Sequence, residues 1–269
     1  MGNSLTRMTD IVCVGRIDPH NNGDRASLPA GYWEWVRDYP LYDLGQTYPH
    51  MVKDKIVIVG GAGLLHPPFK RNLDMIAENA KEIYLWGVGL NTHDLEVDYS
   101  PLEWPIVKKA KLIGVRDHID LNPDVWDPRC TTIGCPSVVH PIFENPPEPT
   151  QKIVYYAHKD YTIPRRDGTY PYISNACQIE TALNHIAQGQ TVITTSYHGA
   201  LWASWFGREV IVPNAFSTKF FVGLKPGSVK FGKVEPDHKP NTIGRESYEN
   251  LLQSQLRWIP LLRYHIGGE

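Results

Sequence analysis

Thr194-Thr195-Ser196-Tyr197-His198-Gly199-Ala200-Leu201 joins a β-branched run, Thr191-Val192-Ile193-Thr194, to a helix-compatible run that ends at Gly207. A strand that passes straight into a helix around a polar, glycine-flanked histidine is a βα junction, and in α/β proteins ligands bind at such strand ends. The placement predicts His198 at or near a helix N-terminus, where unpaired N–H groups and the helix dipole favour an anion such as phosphate. Imidazole moves protons near neutral pH, and a neighbouring glycine lets backbone approach a ligand closely. A capping or core-linking histidine is the other use of the position.

Working outward, the same alternation recurs. Residues 10–15, 56–59, 82–86 and 112–115 read as strands, with helices over 69–80 and 106–110 between them. These strands run out into Gly60-Gly61-Ala62-Gly63, Gly87 with Gly89, and Arg116-Asp117, as the ligand edge of an open parallel sheet should. Residues 140–150 carry Pro141, Pro146, Pro147 and Pro149 and read as a linker. A second set follows: strands over 152–157, 191–194 and 209–212, and a helix over 176–188. The chain is therefore expected to be α/β, with two Rossmann-like halves, 1–145 and 146–269, facing a central cleft. Residues 245–264 predict a terminal amphipathic helix in the second half, packed on a core or laid on a membrane surface.

At 269 residues, with 42% hydrophobic and 21% charged residues, the composition is that of an ordinary globular protein. A net charge of −2 offers no global attraction to nucleic acid, so any anion must be met by a local field. The four cysteines are too few for a disulfide scaffold and point to a reducing, cytoplasmic setting. Cys130 and Cys135 have no second Cys or His pair to complete a zinc site, so no metal is expected. No stretch approaches the roughly 20 apolar residues of a membrane span. Met1-Gly2-Asn3-Ser4-Leu5-Thr6 fits an N-myristoylation pattern that nothing else in the chain supports.

Among charged residues, Lys219 stands in Ser217-Thr218-Lys219-Phe220-Phe221, a hydroxyl-rich and aromatic setting suited to a phosphate or carboxylate. Arg116 could clamp a carboxylate or simply pair with Asp117, and Arg165 and Arg166 could meet an anion or decorate a turn. Asn21-Asn22-Gly23-Asp24 is a turn or a place where an aspartate accepts a sugar hydroxyl's proton. The Gly60–Gly63 stretch lacks dinucleotide and P-loop spacing, and the chain has no G-x-S-x-G elbow.

Taken in order, N-x-G-D at Asn21–Asp24, the G-G-x-G turn, W-G-x-G-L from Trp86, V-R-D at Val115, G-C-P-S at Gly134, T-S-x-H-G-A-type residues ending at Ala200 and S-x-K-F at Ser217 resemble the polysaccharide pyruvyl transferase family over most of the chain. Its length and Tyr197-His198 pairing look closest to the ketal pyruvate transferases of xanthan-like bacterial exopolysaccharide synthesis. The resemblance implies a GT-B-like fold and transfer of pyruvate from phosphoenolpyruvate onto a sugar, a terminal mannose of a lipid-linked unit, as a 4,6-ketal with release of phosphate. It implies no cofactor beyond that donor, and work at the cytoplasmic face of the inner membrane.

On matching positions, the resemblance implies His198 and Asp24 as catalytic groups. It places Lys219, Arg116, Ser196, Tyr197, Gly199 and Ser217 at the donor, and Asn22, Gly61 and Gly63 at the acceptor. The family commonly has arginine where Ser196 stands, which leaves the donor's charge to Lys219, Arg116, Arg165 and Arg166. A GT-B glycosyltransferase using a nucleotide sugar, or a catalytically silent sugar-binding protein, would suit the same two halves.

Overall fold

The computed structural model describes residues 10–93, 100–121, 123–163 and 168–267. The N-terminal acylation motif and the Arg165-Arg166 pair lie outside them. The first half is one parallel sheet of β1 (Ile11–Gly15), β2 (Leu41–Asp43), β3 (Ile56–Gly60), β4 (Glu82–Val88), β5 (Leu112–Val115) and β6 (Cys130–Thr132), in the order β2-β1-β3-β4-β5-β6. The second is a parallel sheet of β7 (Gln151–Ala157), β8 (Tyr172–Ser174), β9 (Gly189–Thr194), β10 (Glu209–Val212) and β11 (Lys230–Phe231), in the order β11-β10-β9-β7-β8. This is the expected α/β architecture of two Rossmann-like sheets.

Both sheets are buried on both faces, which explains their near-continuous apolar strands. In the first, Val12, Val14, Val57, Val59 and Leu85 pack with Leu73, Ile76 and Ala77, where α1 is the short helix Asn22–Ala26 and α2 is Lys70–Asn79. Alternate residues of the same strands, Ile11, Cys13, Ile58, Tyr84 and Trp86, face the other way. The second sheet packs Val154, Tyr156, Val192 and Val210 against α3 (Ile179–Ala187) and α4 (Tyr197–Trp205).

After α5 (Lys219–Val222), the terminal helix α6 (Thr242–His265) departs from the simple two-half plan. Its beginning joins the second core through Tyr248 and Leu251. Its end crosses to the first sheet, where Trp258, Ile259 and Leu262 cover Tyr84 and Trp86. The helix is thus a core element of both halves, with Leu256, Leu261 and Tyr264 left on its solvent side. Among the described residues no helix is long and apolar enough to cross a membrane.

The proline-rich connector is pinned down. Pro141–Phe143 forms a 3-10 turn, and the fully buried Phe143 ring lies 5.3 Å from Trp205, 4.8 Å from Phe206 and 5.9 Å from Tyr248. Phe143→Ala should lower the free energy of unfolding by about 3–5 kcal/mol, measured by urea denaturation, because a ring-sized cavity opens where both connector and α6 are anchored.

In each sheet the chain leaves a central strand in opposite directions, and such switch points open a crevice at the strands' carboxyl ends. In the first sheet the crevice lies between β1 and β3, in the second between β7 and β9. The two crevices face one another, and the residues following these four strands line a shared cleft.

Candidate active site

The cleft wall supplied by the first half includes Arg16, Asp18, Asn21 and Asp24 after β1, Gly63 and His66 after β3, Asn91 and His93 after β4, and Arg116 after β5. The second half supplies His158, Lys159 and Tyr161 after β7, Ser196, Tyr197 and His198 after β9, and Phe216 and Lys219 after β10. Of the residues expected at a site, the fold brings together Asp24, Gly63, Arg116, Ser196, Tyr197, His198 and Lys219. They come from both halves, with Arg116 on one side and Lys219 on the other.

His198 occupies the first turn of α4, as the βα junction predicts. Ser196 caps the helix, its hydroxyl accepting from Gly199 N at 3.3 Å. The imidazole is 6% exposed, and its Nε2 lies 3.0 Å from Ser27 Oγ. Burial, reinforced by the Arg116, Lys219 and His158 charges, pushes the ring well below the usual histidine range. His198 is therefore neutral at physiological pH. Gly23 makes this placement possible: a Cβ there would fall 2.2 Å from His198 Nδ1, so only glycine lets α1 come this close.

Asp24 follows immediately, with Asn21 Nδ2 donating to its Oδ2 at 3.0 Å. Crowding by protein raises its carboxyl to about 6, with Lys219 opposing the shift. Lys219 opens α5 with its ammonium 4.9 Å from the centre of the Phe216 ring. Desolvation and the nearby Arg116 charge push it down to about 8. Lys219 has no hydrogen-bond acceptor or ion-pair partner among the described residues.

Arg116 is 2% exposed and lies over the Tyr197 ring at 4.5 Å. Its Nε donates to Asp117 at 3.2 Å and its Nη2 to the Leu90 carbonyl at 3.1 Å, leaving Nη1 without a protein acceptor among the described residues. Gly89 gives the side chain room, since a Cβ there would stand 2.2 Å from Arg116 Nε. The other lining cations are already engaged: Arg16 with Asp43 at 2.8 Å and Lys159 with Asp18 at 2.8 Å. Unpaired positive charge in the cleft thus rests on Lys219, and Arg116, paired with Asp117, still has Nη1 free to donate to a ligand.

Four expected contacts lie off the cleft lining. Asn22 is fully buried, accepting from Tyr156 Oη at 2.7 Å and donating to Cys177 Sγ at 3.5 Å, so it fastens α1 to the second half. Gly61, at φ +74°, packs where a Cβ would meet the Ser27 carbonyl. Gly199 is pressed against Tyr156 and Thr194, and Ser217 is fully buried, its hydroxyl unpaired among the described residues.

The sequence reading passed over His66, Asn91, His93, His158, Tyr161 and Phe216. All follow strands, so the strand-end rule that picked out His198 would have reached them, although no motif marks them. Burial lowers the three histidines, His158 to about 4, so they face the cleft as neutral hydrogen-bonding groups. His66 Nδ1 and Asn91 Oδ1 are buried without a protein partner among the described residues, and Tyr161 and Phe216 stack at 3.9 Å. Neutral polar groups beside aromatic faces suit a sugar, and the two cations suit an anion.

A family model described as polysaccharide pyruvyl transferase matches residues 10–212. Among solved structures, the chain is similar to an uncharacterised protein of Klebsiella pneumoniae subsp. pneumoniae NTUH-K2044 at 17% identity and TM-score 0.50, over 86% of this chain and 95% of that one. It is also similar to UDP-GlcNAc 2-epimerase from Neisseria meningitidis bound to UDP-GlcNAc, at 10% identity and TM-score 0.47, over 96% of this chain and 93% of that one. At such identities the first likeness bears on fold alone. No curated protein matches the chain.

Proposed function

Because the chain belongs to the polysaccharide pyruvyl transferase family, we propose that its cleft moves pyruvate from phosphoenolpyruvate onto two hydroxyls of a sugar, forming a ketal and releasing phosphate. The observation that carries this reading is the pair of incompletely satisfied cations, Lys219 and Arg116, facing neutral His198 and Asp24, whose carboxyl is raised to about 6, across one cleft. A donor bearing both carboxylate and phosphate presents two anionic ends, and two cations from opposite halves can hold one each.

The chemistry distributes as follows. Asp24 delivers a proton to the donor's methylene carbon; the double-bond electrons form the C–H bond and leave the adjacent carbon electrophilic. A sugar hydroxyl oxygen bonds to that carbon while His198 takes its proton. The carbon–oxygen bond to phosphate then breaks with its electron pair on phosphate, held by Lys219 and Arg116. The second hydroxyl closes the ketal, its proton passing to the Asp24 carboxylate left by the first step. His66, Asn91, His93 and the Tyr161–Phe216 stack receive the acceptor sugar. A 4,6-ketal on a terminal mannose of a lipid-linked unit, as in xanthan-like synthesis at the cytoplasmic membrane face, is the specific product this reading favours.

Thermal shift with phosphoenolpyruvate, run beside UDP and GDP, tests the donor. Saturation at about 100 times Kd should stabilise the fold by about 2.7 kcal/mol. Lys219→Ala should lose most of that gain. Stabilisation by a nucleotide alone would replace this reading with glycosyl transfer.

The pH dependence has a defined sign. Lys219 is cationic below about 8 and neutral above it, so donor affinity holds below that pH and falls as pH rises through it. Asp24 keeps its proton below about 6, so kcat/KM declines as pH rises through that value. Its raised value also gives folding stability that is present in full below the unfolded carboxyl's value and lost as pH rises through about 6. In Lys219→Arg the inflection near 8 should disappear from the pH profile of donor affinity while the one near 6 in kcat/KM persists.

A further inference from the structure

Behind His198, away from the cleft, lies a polar chain inside an otherwise apolar core. Trp202 Nε1 donates to Ser137 Oγ at 3.1 Å, and Ser137 Oγ donates to Cys135 Sγ at 3.2 Å. Cys135 Sγ is 3.4 Å from Ser27 Oγ, which donates to the Gly23 carbonyl at 2.8 Å. Ser27 Oγ is also 3.0 Å from His198 Nε2, and Cys135 Sγ is 3.7 Å from the same nitrogen. Ser27, Cys135, Ser137 and Trp202 are each no more than 1% exposed.

Counting protons and comparing distances gives this chain a direction. An indole N–H can only donate and a carbonyl can only accept, and Ser27 Oγ lies closer to Gly23 O, at 2.8 Å, than to His198 Nε2, at 3.0 Å. Ser137 receives from Trp202 and spends its own proton on the Cys135 sulfur. With the single Ser27 proton on Gly23 O, the thiol proton turns to Ser27 Oγ at 3.4 Å, nearer than His198 Nε2 at 3.7 Å. In that arrangement Ser27 meets His198 as an acceptor, which requires the ring proton on Nε2. Nδ1, beside Gly23 and without a protein partner among the described residues, carries the lone pair.

We propose that Ser27 is a positioning residue that holds His198 as the Nε2–H tautomer, with Cys135 and Ser137 setting the direction of the Ser27 hydroxyl. His198 Nδ1 is then the nitrogen that takes the acceptor's proton, a role that rests on the pyruvyl transfer reading; the tautomer itself does not. Three separate segments build the device. Ser27 ends α1 in the first half, Cys135 and Ser137 follow β6, and His198 and Trp202 stand one turn apart on α4 with ring centres 5.3 Å apart. Docking of the two halves therefore creates the tautomer bias at the catalytic ring.

The decisive experiment is ¹⁵N NMR of the histidine side chains in the whole protein, with the His198 pair assigned by its loss in His198→Gln. The expected wild-type result is a protonated Nε2 and a bare Nδ1. Ser27→Ala should shift His198 toward a mixture of tautomers and lower kcat about 10- to 100-fold with KM little changed, the usual scale for losing a group that orients a working side chain. Ser27→Thr should restore both the spectrum and kcat. A wild-type Nδ1–H ring, or a His198 spectrum unmoved in Ser27→Ala, would overturn the proposal. If the spectra behave as expected while phosphoenolpyruvate neither binds nor reacts, the tautomer assignment stands and the pyruvyl transfer reading fails.

Discussion

His198→Gln should lower kcat by about 10²–10⁴-fold, the range that a positioned proton-transfer group contributes. Glutamine keeps an amide N–H that can donate to Ser27 and nearly matches the ring's reach, so the packing beneath α4 survives and the variant folds. It carries no basic lone pair, so the attacking hydroxyl loses its proton acceptor. Because the ring is neutral in the native protein, its loss removes no charge from the donor site. Stabilisation by phosphoenolpyruvate should therefore persist in the thermal-shift measurement while steady-state turnover collapses. Turnover above about a tenth of wild type would remove His198 from the proton-transfer step.

Arg116→Gln should fail in both folding and binding. The guanidinium neutralises Asp117, which is fully buried and whose Oδ2 accepts from Leu90 N at 2.6 Å. Removing one partner of a buried ion pair leaves the other charge in a low-dielectric site and costs about 3–5 kcal/mol, which urea denaturation would read directly. The same substitution deletes Nη1, the part of Arg116 that no protein acceptor uses, so donor-induced stabilisation should disappear. Arg116→Lys should not rescue donor binding: an ammonium cannot bridge Leu90 O, Asp117 and a ligand in the fixed fork of a guanidinium, nor lie flat on Tyr197. If Arg116→Gln retains wild-type stability, Asp117 does not depend on it; if it retains donor binding, Lys219 alone holds the anion.

The longer strands were legible because each carries a β-branched or apolar run of at least four residues, and in the first half these runs end in glycine or charge. β2, β6, β8 and β11 were not, being two or three residues long, too short for any periodicity to register. α1 reads as a turn for the same reason, and its helical character comes from the Asn21 side chain accepting from Gly23 N together with contacts to the second half. His198, Asp24, Arg116 and Lys219 were legible because strand ends carry chemistry. Asn22 was misleading: its polar side chain is satisfied by Tyr156 and Cys177, residues more than 130 positions away, and a sequence read locally holds no trace of them. Cys135 reads as a buried thiol, and it is one, but only the folded chain shows that it borders the His198 ring.

The route of α6 bears on how the protein is made. On the ribosome the strands through β6 emerge first, and the face of their sheet formed by Ile58, Tyr84 and Trp86, covered in part by Trp33, Trp35 and Val36, is completed only when Trp258, Ile259 and Leu262 arrive. At about 5–20 residues per second, synthesis of the intervening stretch takes on the order of ten seconds. Throughout that interval the remaining part of this apolar face lacks its cover, and a nascent chain with such exposed apolar surface is aggregation-prone.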